Sequence, residues 1–308
     1  MNSTTLKIKN FSNDFSVNLK SFVKLMKPRV MSLVLFTCMV GMIIAPENNS
    51  YISSITSLFA VALGAGAAGA LNMWYEADLD AVMSRTCLRP IPLGKVKKKQ
   101  ALIFGVALSI ISVSLLNYSS NLISAALLAL TISFYFFVYT VWLKKRTAQN
   151  IVIGGAAGAL PPVIGWTIST GSISIEPLIL FAIIFFWTPS HFWALSLYKS
   201  QDYKKAKIPM LPLTSGAEVT KKNIFVYSLL MLPTVGSMYL VKINTLTFSL
   251  ISLILTIYYV YLCFLLLKSK SIISRNILAK KIFIYSIFYL FLIFLLTLVN
   301  KFTSIYYG

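Results

Sequence analysis

Residues 52–75, ISSITSLFAVALGAGAAGALNMWY, run 24 positions without a charged side chain, and residues 76–92, EADLDAVMSRTCLRPIP, then bring three acids and two arginines together. As a helix rising 1.5 Å per residue the first stretch is about 36 Å long, enough to cross a hydrocarbon core of about 30 Å. The second begins where such a helix would leave the membrane. An apolar crossing that ends in a dense polar mouth is the pattern from which the rest of the chain is read.

Outward from it, comparable apolar runs recur near 30–46, 101–117, 121–143, 150–170, 176–198, 223–241, 246–267 and 282–299. With 52–75 they predict an all-α, polytopic membrane protein, a bundle of nine transmembrane helices. The 308 residues agree: 57% are hydrophobic, only 12% are charged, and the mean hydropathy is +0.79. An aqueous globule carries about a quarter charged residues, and disorder needs low hydrophobicity. Three cysteines, Cys38, Cys87 and Cys263, show no paired or zinc-like spacing. Residues 1–28 are polar, without the apolar core of a secretory signal, and read as a cytoplasmic N-terminal tail before a single transmembrane domain over 29–308.

The net charge of +20 comes from 28 bases against 8 acids. Such an excess would suit nucleic acid only if it formed a basic face on a soluble unit. Instead it tracks the loops. The tail and the segments after spans 2, 4, 6 and 8 carry all the bases but two, Lys242 and Lys301, which fall on the other side. The positive-inside rule makes the crowded side cytoplasmic, with the N-terminus inside and the C-terminus outside. No nucleic-acid partner is expected.

Asn72, Glu76 and Asp80 stand at i, i+4 and i+8, within about 80° of one another on a helix, while Asp78 falls nearly opposite Glu76. Stacked acids near a membrane repel unless a polar partner compensates them. Neighbouring bases offer one resolution. The other is a hard cation such as Mg²⁺, which takes one or two carboxylates and completes its shell with water and phosphate oxygens. Asp202 emerges on the same membrane face after span 6 and is a third candidate ligand. Arg85, Arg89, Lys144 and Lys199 lie near these acids. Carboxylates for metal beside Arg and Lys for phosphate together describe a diphosphate site.

Asn72-x-x-x-Glu76-x-x-x-Asp80 followed by SRTCLRPIP resembles the first acidic motif of the UbiA superfamily of intramembrane prenyltransferases, where Asp is commoner at the position of Glu76. KPRVMSL (27–33), NMWYEADLDAVMSRT (72–86), YTVWLKKRTAQNIVIGGAAGALPPVIGW (139–166) and TPSHFWALSLYKSQDYKKAKIPMLP (188–212) resemble its haem-directed branch, the protohaem IX farnesyltransferases or haem O synthases. In that branch's manner, the superfamily's second acidic pattern D-x-x-x-D reads Asp202-Tyr-Lys-Lys-Ala206 here. The resemblance implies farnesyl diphosphate and haem B as substrates, haem O and diphosphate as products, Mg²⁺ as cofactor, and the cell inner membrane as location. It also implies a downstream haem A synthase as recipient.

Under that resemblance Glu76, Asp80 and Asp202 are expected to hold metal, with Asn72 orienting a ligand, and Arg85, Arg89, Lys144 and Lys199 to clamp phosphate oxygens. Trp74, Tyr139 and Trp193 are expected near haem or the prenyl chain, where aromatic faces shelter a carbocation. His191, the one histidine, is either a haem-iron ligand or an interhelical hydrogen bonder. The small residues and prolines of GGAAGALPPVIGW (154–166) either let helices approach closely or leave room for substrate. Two rivals differ in a readable way. A prenyltransferase acting on an aromatic quinone precursor would share the diphosphate site and differ in the acceptor pocket. A transporter would place its acids near the bilayer midplane.

Overall fold

A computed structural model describes residues 19–46, 50–84 and 86–307, with side chains described as far as Ser304. The described residues contain helices and turns and no strand. In chain order the helices are α1 (Leu19–Leu25), α2 (Pro28–Ile44), α3 (Tyr51–Tyr75), α4 (Ala77–Val82), α5 (Lys98–Ser119), α6 (Leu122–Ser133), α7 (Asn150–Ala159), α8 (Pro161–Thr170), α9 (Ile175–Tyr198), α10 (Ser200–Lys205), α11 (Leu211–Thr214), α12 (Gly216–Leu240), α13 (Leu246–Lys268) and α14 (Ile272–Tyr307). Eight crossings are long and apolar enough on their own. Among the described residues the pair α1–α2, bent by 56°, is long and apolar enough to make a ninth when taken together.

Each run read from hydropathy coincides with one crossing, with three refinements. Within the expected tail Leu19–Leu25 is helical, Leu25 is fully buried, and Phe22 packs on Phe104 of α5 at 5.0 Å. Residues 1–18 lie outside the described part. Span 4 changes register, passing from α6 into a π-helical stretch over Phe134–Leu143 in which Lys144 N–H donates to Tyr139 O, five residues back. Span 5 breaks at Leu160, because Pro161 and Pro162 cannot donate to the turn before them.

The central helices are α3, α7–α8 and α9, buried over 56%, 72% and 61% of their most apolar windows, against 22–39% for the other unbent crossings. Those central helices carry the motifs. Small residues set how closely they approach. α2 crosses α8 at Gly41 and Gly165, where an added Cβ would overlap the backbone carbonyls of Pro162 and Cys38 respectively. On α3 a Cβ at Gly66 would lie 2.5 Å from Met26 Cε, and one at Gly69 3.1 Å from Leu25 O. The missing side chains let the α1–α2 turn sit directly on α3. That seat brings the turn to the acidic motif, because Asn72 lies one turn beyond Gly69 on the same face.

Candidate active site

The site forms where α3 ends, against the α1–α2 turn, the end of the π-helical stretch and the loop after α4. α3 stops at Tyr75 and α4 begins at Ala77, but the i to i−4 hydrogen bonds continue across the joint. Glu76 N–H donates to Asn72 O at 3.0 Å, and Asp80 N–H to Glu76 O at 2.8 Å. The expected stack therefore survives an interrupted helix. Asn72, Glu76 and Asp80 are all buried, at 2%, 3% and 3% exposure. Asp78 points away and pairs with Lys98 on the surface at 2.8 Å.

Carboxylates this deeply buried need partners. Lys144 Nζ donates to Glu76 Oε2 at 2.7 Å and lies 2.5 Å from Oε1, which accepts no hydrogen bond. Arg89 Nη1 donates to both Asp80 oxygens at 2.7 Å. The Thr86 hydroxyl closes the loop onto Asp80 O at 3.0 Å. The third cation is Lys27, which sequence reading placed in a motif without giving it a role. Its Nζ donates to Asn72 Oδ1 at 2.6 Å, and Asn72 Nδ2 donates to Thr140 Oγ1 at 3.0 Å. Lys27 holds a left-handed backbone, φ 55° and ψ 58°, immediately before a proline, a conformation disfavoured twice over for a non-glycine residue. Strain of this kind persists where the surroundings impose it and clusters at functional sites.

Three cations thus face two carboxylates. Lys27 is the one without an acid of its own, so the cluster is built to receive an anion. Tyr139 stands beside it, with Lys144 Nζ 5.7 Å from the ring centroid. A Cβ at Gly154 would overlap that ring, and one at Gly155 would crowd Thr188. At these positions the small residues of span 5 serve close approach.

The remaining expected residues lie apart from this cluster. Asp202 is half-buried and accepts from the Ser84 hydroxyl at 2.8 Å, joining α10 to the loop after α4. Among the described residues no three acidic, histidine or cysteine side chains gather to hold one metal. Of the expected trio, Glu76 and Asp80 are buried, and Asp202 is half-buried on the Ser84 hydroxyl. Lys144 and Arg89, brought in by the π-helical stretch and the loop, compensate the buried acids where like charges would repel. Two buried carboxylates still suit a hard cation that takes one or two such ligands.

Lys199 is exposed at the end of α9. Arg85 lies outside the described residues. Trp74 is half-buried against Phe136, with ring centroids 6.0 Å apart. Trp193 is fully buried and meets Tyr227 of α12 edge-on at 5.4 Å, which makes it core between α9 and α12. His191 lies between the rings of Trp187 (4.3 Å) and Phe283 (4.6 Å), with Nδ1 2.6 Å from Ser286 Oγ. The Ser286 hydroxyl donates to Phe283 O at 2.7 Å. Its oxygen is therefore the acceptor from His191 Nδ1–H, and the Nε2 lone pair is left free.

Among known proteins, residues 34–287 match the UbiA prenyltransferase family. A protoheme IX farnesyltransferase of Pelagibacter ubique is 62% identical over 301 residues, covering 98% of this chain and 99% of the relative. Among solved structures, a digeranylgeranylglyceryl phosphate synthase superposes with a TM-score of 0.77 at 18% identity, over 92% of this chain and 98% of the other. A UbiA homologue of Archaeoglobus fulgidus bound to GPP and Mg²⁺ superposes with a TM-score of 0.66 at 16% identity, over 90% and 99%. These likenesses show the same fold. The chain belongs to the UbiA prenyltransferase family.

Proposed function

We propose that this chain, a multi-pass protein of the cell inner membrane, transfers the farnesyl group of farnesyl diphosphate to a vinyl group of haem B, giving haem O and diphosphate. The observation that carries the reading is the near full-length, 62% identity to a protoheme IX farnesyltransferase. The cluster at the end of α3 supplies chemistry that fits it.

Lys27, Arg89 and Lys144 offer N–H donors to the diphosphate oxygens, bonds that are short and about twice as strong as neutral ones. As the allylic C–O bond breaks, its electron pair leaves with diphosphate. Fixed cations stabilise that growing charge because they require no reorganisation. The farnesyl cation is captured by the vinyl π bond of haem, and water adds to the resulting cation, losing one proton to give the hydroxyethylfarnesyl product. The Tyr139 face, beside the cluster, lies where it can shelter the positive chain. Glu76 and Asp80 are the residues we assign to Mg²⁺, which when bound neutralises charge on the phosphate oxygens. Asp202, on the Ser84 hydroxyl, acts as a positioning residue for the loop after α4. His191, with Nδ1 engaged by Ser286, presents Nε2, and we assign that nitrogen to haem.

Acceptor choice is the test. Enriched membranes are given Mg²⁺, labelled farnesyl diphosphate, and either haem B or 4-hydroxybenzoate. Label on haem supports the proposal; label on the benzoate assigns the chain to quinone precursors instead. A transporter would move label across the membrane without forming a product.

A further inference from the structure

At the end of the bundle opposite the carboxylate cluster a cavity of about 540 Å³ opens between the ends of α2, α12 and α14 and the start of α9. Its wall includes Lys242 and Lys301, the two bases that charge sorting leaves on this side, together with Glu176, Asn244, Trp166 and Tyr239. Lys242 sits at φ 57°, a left-handed position that turns the chain out of α12. Among the described residues neither lysine pairs with a carboxylate.

Two acceptors in the wall are buried without a hydrogen-bond partner in the protein: Glu176 Oε2 and Asn244 Oδ1. Asn244 is only 3% exposed, and its Nδ2 also lies 4.0 Å from Met238 Sδ. The Thr297 hydroxyl donates to Ile293 O at 3.0 Å, so its oxygen can only accept, which it does from Asn244 Nδ2 at 3.5 Å. Oδ1 is thereby the free end of the amide. Asn300 holds the loop in place, its Oδ1 accepting from Thr245 N–H and hydroxyl at 3.1 and 2.8 Å. Buried acceptors of this kind are rare, because each forfeits a hydrogen bond available in water.

The wall therefore lacks donors at one place and acceptors at another. A ligand that satisfies both carries N–H donors with positive charge and phosphate oxygens with negative charge. We propose that the cavity binds a phosphoethanolamine group, with its phosphate on Lys242 and Lys301 and its ammonium on Glu176 and Asn244. The aromatic pair Trp166 and Tyr239 is what the headgroup level of a bilayer attracts. A choline headgroup has no N–H to give, and a glycerol headgroup has no positive charge. The same chemistry is available from a phosphatidylethanolamine in the membrane or from a soluble phosphoethanolamine.

Native mass spectrometry of the full chain, delipidated in detergent and titrated with phosphatidylethanolamine, phosphatidylcholine or phosphatidylglycerol, separates these cases. The expected result is retention of the ethanolamine lipid at least about 10-fold over both others. Glu176→Gln should bring that preference close to unity against phosphatidylglycerol while phosphate-dependent binding persists. Lys242→Ser with Lys301→Ser should weaken both. Farnesyl transfer should be unchanged in both variants, which reports that they fold. Displacement of the lipid by millimolar phosphoethanolamine assigns the site to the headgroup alone, and resistance assigns it to the lipid. Equal retention of the three lipids by the wild type, or a preference untouched by Glu176→Gln, overturns the proposal. The wild-type selectivity does so without relying on any variant.

Discussion

Lys27 carries the surplus charge of the buried cluster, and it is the cation that can be removed without stranding an acid. Lys144→Met or Arg89→Met would leave Glu76 or Asp80 buried and uncompensated, a loss of about 3–5 kcal/mol that confuses folding with binding. Lys27→Met instead takes away one charge-assisted hydrogen bond to an anion, worth about 1.5–3 kcal/mol. Steady-state kinetics should show KM for farnesyl diphosphate raised about 10- to 100-fold, with a stability loss no larger than the about 1–3 kcal/mol of leaving Asn72 Oδ1 without its donor. An unchanged KM would remove Lys27 from the site. Glu76 can be tested at the same scale. Glu76→Asp keeps the charge and installs the family's commoner residue, so activity should stay within about 10-fold, whereas Glu76→Gln should lose about 10²-fold or more. Equal activity of the two would show that the charge at this position is not used. The three acidic-motif residues were legible from their spacing, since i, i+4, i+8 needs only helical periodicity. Lys27 was not, because its role depends on a contact with a residue 45 positions away, made possible by Gly66 and Gly69.

Among the elements, hydropathy found the crossings because it reports where the chain prefers lipid, and it missed what hydrogen-bond register decides. FYFFVYTVWL over 134–143 is as apolar as any α-helix, yet it runs as π-helix and thereby brings Tyr139, Thr140 and Lys144 to the end of α3. The short helices α4 and α10 were equally silent, being polar turns whose helicity comes from what they pack against. Close approach of α2 and α8 is the element-scale feature most open to test. Gly165→Ala places a methyl against Cys38 O with backbone on both sides, an overpacking that should cost about 1–3 kcal/mol. Thermal unfolding of the detergent-solubilised protein should fall accordingly, while Gly158→Ala, which meets nothing within 4 Å, should not lower it. Identical melting of the two would mean that these helices do not cross as described.

At the scale of the whole molecule the charge excess is a statement about orientation. By the order of the spans nearly every base falls on the side of the bundle that carries the carboxylate cluster, so that side should face the cytoplasm. The N-terminus is then inside and the C-terminus outside. A fluorescent-protein fusion at Gly308 should be dark and an alkaline phosphatase fusion there active; the reverse pattern would turn the molecule over. Hydropathy made the helical architecture legible, and charge sets the orientation that these fusions test. The cavity at the far end was not, since it is lined by residues drawn from loops and helix ends spread between Ile44 and Ser304.

The most direct measurement is a single-turnover transfer of labelled farnesyl from its diphosphate to haem B, comparing wild type with Asp80→Asn. The substitution is nearly isosteric but removes the carboxylate that Arg89 grips from one nitrogen and that we assign to Mg²⁺. Wild type should place label on haem, and Asp80→Asn, folded and still in the membrane, should be slower by about 10²-fold or more. Transfer by Asp80→Asn at the wild-type rate, or no label on haem with the wild type, would contradict the cluster at the end of α3 as the place where the diphosphate leaves.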